Sequence, residues 1–105
     1  MADTTKYFET DLPARLKSDS DFASSINNVF QFEIEGAGTW HITPGAGGAI
    51  VAQGEHDDPE CVVTSDKETF DEVLDDPSIA MGKFMAGKIA ATDLGLAMQL
   101  QQFLG

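Results

Sequence analysis

The 105-residue sequence predicts an α+β fold in which a five-stranded mixed sheet carries helices packed over one face. Three observations predict it. Apolar residues recur at helical spacing near the N-terminus, alternate with polar ones from Val29, and return to helical spacing after Ser65. Short segments are divided by Gly-rich or Pro-containing breaks. The elements then run helix, three strands, a fourth strand, two helices, a fifth strand and a last helix.

Tyr7, Phe8, Leu12, Leu16 and Phe22 set the first helical stripe, and Pro13 predicts a break or fresh start around Asp11 to Pro13. Phe30, Phe32 and Ile34 alternate with Gln31, Glu33 and Glu35, the pattern of a strand with one dry and one wet face. Gly36-Ala37-Gly38 supplies a turn, and Trp40 and Ile42 repeat the alternation. Pro44 to Gly48 form a loop before a third strand, Ala49-Ile50-Val51-Ala52, which completes an antiparallel meander. Asp57-Asp58-Pro59 interrupts the chain ahead of a fourth strand, Cys61-Val62-Val63-Thr64.

Ser65-Asp66-Lys67-Glu68 reads as a capping box, with Ser65 capping a helix whose stripe is Phe70, Val73 and Leu74. Asp75-Asp76-Pro77 ends that helix. Ser78 is expected to cap a second one carrying Ile79, Met81, Phe84 and Met85, which Gly87 stops. Ile89 to Thr92 fit a fifth strand. Asp93 caps a final helix that is apolar over more than half its girth, through Leu94, Leu96, Ala97, Met98, Leu100, Phe103 and Leu104. Such a helix has to be buried or to meet something greasy.

Composition narrows the function. Eighteen acidic side chains face six basic ones, a net charge of -12, which excludes phosphate-reading nucleic-acid binders and argues against tight residence on anionic membranes. Seven Phe against one Trp and one Tyr supply apolar bulk without polar tips. Cys61 is the one cysteine, so no intrachain disulfide can form. The N-terminus lacks the basic-then-apolar pattern of a secretion signal, and no apolar run suits a bilayer span, so a cytoplasmic single domain over residues 1–105 is expected.

Gly82 to Ile89 approaches a phosphate-binding loop but has Ile89 where Mg²⁺ requires Ser or Thr. Gly36-Ala37-Gly38 and Gly45-Ala46-Gly47 lack the third glycine of a dinucleotide fingerprint. Cys61, His41 and His56 could be drawn as nucleophile and bases, yet Cys61 opens an apolar strand and His41 falls on a polar side. The two histidines and one cysteine have no metal-ligand spacing. The expectation is no catalytic residue, no metal and no cofactor.

Four pieces in register resemble the sterol carrier protein 2 family: Val29-Phe30-Gln31-Phe32-Glu33-Ile34 followed by Gly38-Thr39-Trp40, Thr64 to Phe70, Phe84 to Ile89, and Asp93 to Leu100. The likeness runs from Tyr7 onwards. It departs from the family pattern at Thr92, where a Gly is usual, in the uncharged Ile89-Ala90-Ala91, and in the Gly-rich 45–48 loop. The resemblance implies an apolar tunnel between sheet and helices that holds sterols, fatty acyl chains or phospholipids and moves them between membranes without chemistry.

Face assignment then nominates Phe32, Trp40, Ile42, Phe84, Met85, Leu96, Leu100 and Phe103 as tunnel walls, and Met side chains suit irregular guests. The implied partner is a lipid or other hydrophobic small molecule, with transient membrane contact and a monomer or weak dimer. Two other classes remain open: an interaction or dimerisation module using the apolar C-terminal helix, and a minor enzyme with an unrecognised site.

Overall fold

The structure is a computed structural model that describes residues 3–98. Asp3 opens the first helix by accepting the Lys6 N–H at 3.0 Å. Helix α1 (Thr4–Lys6) passes directly into a π-helical insert (Tyr7–Asp11) and then α2 (Leu12–Ser18). The backbone stays right-handed helical through both joints, so the break expected at Asp11 to Pro13 is instead a change of hydrogen-bond pattern. Pro13 has no N–H, and its ring crowds the carbonyl four residues back. The wider π turn, closed by the Leu12 N–H donating to the Tyr7 carbonyl, accommodates that misfit. Phe22 belongs to a separate helix, α3 (Ser20–Ser25), which Asp19 caps by accepting the Phe22 N–H at 3.0 Å.

Strands β1 (Phe30–Glu35), β2 (Gly38–Thr43) and β3 (Ile50–Gln53) form the expected antiparallel meander. The third strand begins one residue later than expected. Ala49 is held instead by its N–H donating to the Ala23 carbonyl at 3.1 Å. Strand β4 (Cys61–Asp66) lies parallel to β1 on its other side, and β5 (Ile89–Ala91) runs antiparallel to β4, giving the order β3-β2-β1-β4-β5. Phe32 is level with Trp40 and Val63, while Phe30 is level with Ile42 and Cys61. Since partners across a ladder share a face, one side of the sheet collects all six.

Two expected caps move by a residue or two. Helix α4 (Lys67–Asp75) is capped by Asp66, whose carboxylate accepts the Thr69 N–H at 2.7 Å. Ser65 is still inside β4, level with Ile34 and Ile89, and buried; its hydroxyl donates to the Asp66 carbonyl. Asp76, not Ser78, caps the next turn, a 3-10 segment (Pro77–Ile79) leading into α5 (Ala80–Met85). A carboxylate has the reach and charge for these amides, and Ser78 becomes a donor to it. Gly87, at φ +78°, ends α5 as expected. Asp93 accepts the Leu96 N–H at 3.0 Å and so caps α6 (Leu94–Ala97).

Helices α1, α2, α4, α5 and α6 touch the sheet or each other on the apolar side. The N-terminus is tied to α4 by polar bonds. The Thr4 N–H and hydroxyl donate to Asp71 at 2.7 and 2.6 Å, and the Lys67 ammonium bridges Asp71 and Asp3 at 2.8 and 3.2 Å. Among the described residues no helix is long and apolar enough to cross a membrane.

Candidate functional site

The apolar face of the sheet is covered unevenly. Over β1 and β2 it is sealed. Phe8, delivered by the π insert, stacks on Trp40 at 4.7 Å between ring centres and meets Phe32 and Phe70 at 5.1 and 5.7 Å. Leu12 and Val73 complete this layer and are buried with the rings. Gly38 permits the arrangement, because a Cβ there would stand 3.3 Å from the Trp40 indole, on a backbone at φ +151°. Burial, opposed by the Arg15 charge and aided by that of Asp11, holds the Tyr7 phenol well above its ordinary pKa, so it stays neutral beside Phe8.

Over β4 and β5 the described covering helices are themselves largely exposed, although Cys61, Val63 and Ile89 beneath them are buried. No residue of α5 is buried, and Met81, Met85 and Met98 are exposed. Phe84, Leu96, Ile79 and Ala91 are only partly buried against the core, around Cys61 and Ile89. Among the described residues the apolar layer is therefore tightly packed from both sides at the β2 end, while at the β5 end its helix cover is largely solvent-exposed.

The eight nominated wall residues divide along this line. Phe32, Trp40 and Ile42 lie in the sealed half, with at most 2% of their surface exposed. Phe84 and Leu96 lie in the other half. Met85, nominated as a wall, is instead 81% exposed, in the last turn of a helix with no buried residue. Leu100 and Phe103 lie outside the described residues. Sequence reasoning missed Phe8 and Phe70, the helix-side half of the aromatic layer. Their signal was available in the spacing of Phe8 to Leu12 and of Phe70 to Val73 and Leu74, each a single helix face.

The opposite face is polar. His41 donates its Nδ1–H to the Gly54 carbonyl at 2.8 Å, and its ring lies 5.4 Å from that of His56. Gln31 is buried there, accepting the His56 N–H at 2.9 Å and donating to Glu33 at 2.8 Å. Cys61 is level with Phe30 on the apolar face, so the sheet separates it from both histidines. Burial raises the Cys61 pKa above its ordinary value, although the Asp93 carbonyl 3.6 Å from Sγ works the other way. The thiol stays protonated, the wrong state for a nucleophile. An open recess of about 480 Å³ at the β1–β2 turn is lined by Glu33, Glu35, Thr39 and Thr64 together with Ile34, Ala37, Gly36 and Gly38.

A sheet of this order, with one apolar face under helices, has a counterpart among known proteins. The model of the SCP-2 sterol transfer family matches residues 10–105. The chain belongs to this family. Among solved SCP-2 structures, the sterol carrier protein domain 2 of Helicoverpa armigera is 20% identical with a TM-score of 0.70, over 94% of this chain and 83% of that one. Palmitated SCP2L2 from Aedes aegypti is 23% identical with a TM-score of 0.70, over 99% and 95%. Sterol Carrier Protein-2 from Aedes aegypti, in complex with palmitate, is 15% identical with a TM-score of 0.69, over 100% and 97%. At these identities the likeness is one of fold. None of the curated protein sequences is a significant match. The five-stranded mixed sheet with its helices is the SCP-2 fold these structures share with this chain.

Proposed function

We propose that the protein binds a lipid non-covalently between the sheet's apolar face and its helices, and hands it on to membranes without catalysing a reaction. The uneven cover carries this reading: a continuous apolar face sealed at β2 and lidded at β5 by a helix with no buried residue. A guest entering beside Phe84 and Leu96 replaces loosely held contacts, while the fold stays anchored by the packed half. Each methylene withdrawn from water contributes about 0.8 kcal/mol, so an acyl chain binds without a strong polar contact. Exposed methionines suit such an entrance, being flexible and apolar. Family membership and the palmitate-bearing Aedes neighbours support the same reading.

The test is titration of the delipidated protein with a fluorescent fatty acid. Saturable one-to-one uptake is expected, and Phe84→Glu abolishes it while leaving the circular dichroism spectrum in place. Absence of saturable uptake, together with mass that rises with concentration in light scattering, refutes the carrier reading in favour of a dimerisation module.

A further inference from the structure

Charge is divided unevenly along this chain. Seventeen of the eighteen acidic side chains lie at or before Asp76, in company with four of the six basic ones. Beyond it, Asp93 alone faces Lys83 and Lys88. Asp93 is itself engaged at a helix end, its carboxylate accepting the Leu96 N–H. The stretch from Pro77 to Thr92 holds no acid, and it makes up the 3-10 turn, α5 and the edge strand β5. The same region exposes apolar surface. Of the four large apolar side chains exposed among the described residues, Met81, Met85 and Met98 belong to α5 or follow α6, and Ile50 lies on the opposite edge strand. Met81 and Met85 stand one turn apart on one face of α5, 47% and 81% exposed. Lys88 follows them and is exposed. Lys83 reaches the exposed Glu72 at 3.4 Å, an ion pair weak enough to be exchanged for another.

We propose that α5 is the face by which the protein docks on a phospholipid bilayer with anionic headgroups, Met81 and Met85 entering the interfacial layer while Lys83 and Lys88 meet lipid phosphates. The proposal rests on the lipid-binding reading and adds to it the docking surface and the orientation, with the sheet's polar face turned away from the bilayer. The whole-chain charge opposes tight residence on such a membrane, but it does not act from one point. The Debye length at physiological ionic strength is about 8 Å. Acids of the polar face, Glu33 and Glu35 among them, stand behind both the sheet and α5, and a helix alone is about 10 Å across. The contact is therefore governed by the local lysines, each giving a factor of about 5 in affinity near an anionic surface. The patch suits a fluid surface better than a protein. Protein interfaces are anchored by Trp, Tyr and Arg, and α5 has none of these. Methionine is unbranched and conforms to moving acyl chains. A two-fold contact between copies would set Lys83 and Lys88 against their own images. Phe84, beside which the guest enters, is on the same helix, so docking sets that entrance against the bilayer.

Cys61 is fully buried, so an environment-sensitive thiol dye reports on a cysteine placed at the surface. Met85→Cys and, on the polar face, Glu35→Cys are labelled in the full chain. Each is mixed at physiological salt with vesicles of phosphatidylcholine and phosphatidylglycerol. The dye at position 85 is expected to shift to the blue and to be quenched by nitroxide lipids, while the dye at position 35 keeps its emission. Lys88→Gln lowers affinity for these vesicles about 5-fold, and it leaves uptake of a fluorescent fatty acid in vesicle-free buffer unchanged. A silent dye at position 85, an equal response at both positions, or full vesicle affinity in Lys88→Gln overturns docking through α5, and intact fatty-acid uptake then spares the carrier reading. A blue shift that grows with protein concentration and needs no vesicles gives the face to a second copy and overturns the proposal too. Wild-type protein that takes up no fatty acid refutes the carrier reading, whatever the vesicles show.

Discussion

Phe8→Ala tests whether the sealed half is the packed unit described above. Phe8 is 2% exposed and touches three other rings of the layer, with Trp40 stacked at 4.7 Å, Phe32 at 5.1 Å and Phe70 at 5.7 Å. Removing a ring so enclosed loses its transfer free energy and leaves a cavity, about 3–5 kcal/mol together. Against a total stability of about 5–15 kcal/mol for a domain of this size, that is a large share. With a urea slope of about 1.5 kcal/mol/M, the unfolding midpoint falls by about 2–3 M. Phe8→Leu keeps most of the volume and loses less than half as much, about 1–1.5 kcal/mol. Equilibrium urea unfolding followed by Trp40 fluorescence reads both. A Phe8→Ala loss within about 0.5 kcal/mol, the range of a surface substitution, with unchanged slope, refutes the packing argument.

Other consequences are equally open to measurement. Asp71→Ala leaves the buried Thr4 N–H and hydroxyl without their acceptor and is expected to cost about 1–3 kcal/mol in urea unfolding, with the N-terminal amides losing hydrogen-exchange protection. Burial pushes the Asp71 carboxyl up, but the Lys67 ammonium and the Thr4 donors outweigh it and leave its pKa below the ordinary 3.8. A depressed folded pKa means that this stabilisation is present above about pH 4 and is lost as pH falls through the lower folded value. The wild-type advantage over Asp71→Ala should therefore be constant from neutrality to pH 5 and shrink in stronger acid. Gly38→Ala puts a Cβ 3.3 Å from the Trp40 indole on a backbone at φ +151° and is expected to cost about 1–3 kcal/mol, with a shifted Trp emission spectrum. Unchanged emission would show that the ring does not rest on that backbone.

The sheet was legible because alternation reports faces directly. Phe30, Phe32, Ile34, Trp40 and Ile42 all stand where a period of two puts them, on the buried side. Alternation also says Gln31 is wet, and it is on the polar face, yet buried, because the chain beyond Gly54 folds over it and donates the His56 N–H. That cover is a tertiary event with no local signal. Helix starts were misplaced for a related reason. Ser65 has the right chemistry for a cap, but pairing with Ile34 and Ile89 holds it in β4, and Asp66 takes the role. Of the nominated wall residues, those on the sheet lie buried on its apolar face, while Phe84 and Leu96 on the helices are only partly buried. Met85 shares a stripe with Met81 and Phe84 in sequence, but α5 is a six-residue helix resting lightly on the sheet, so one turn more or less decides between wall and solvent. The exposure of α5 itself is a matter of contact, which no periodicity encodes.

The parallel pairing of β1 with β4 also has a kinetic side. Residues 30 and 61 become neighbours only after the meander and the segment following it have been made. During synthesis the β1–β2 hairpin can close early, since its contacts are local, whereas β4 and the Phe70 ring of α4 arrive late. Until then Phe32 and Trp40 form a greasy, half-built platform, a nascent chain's natural point of capture by chaperones or by another copy of itself.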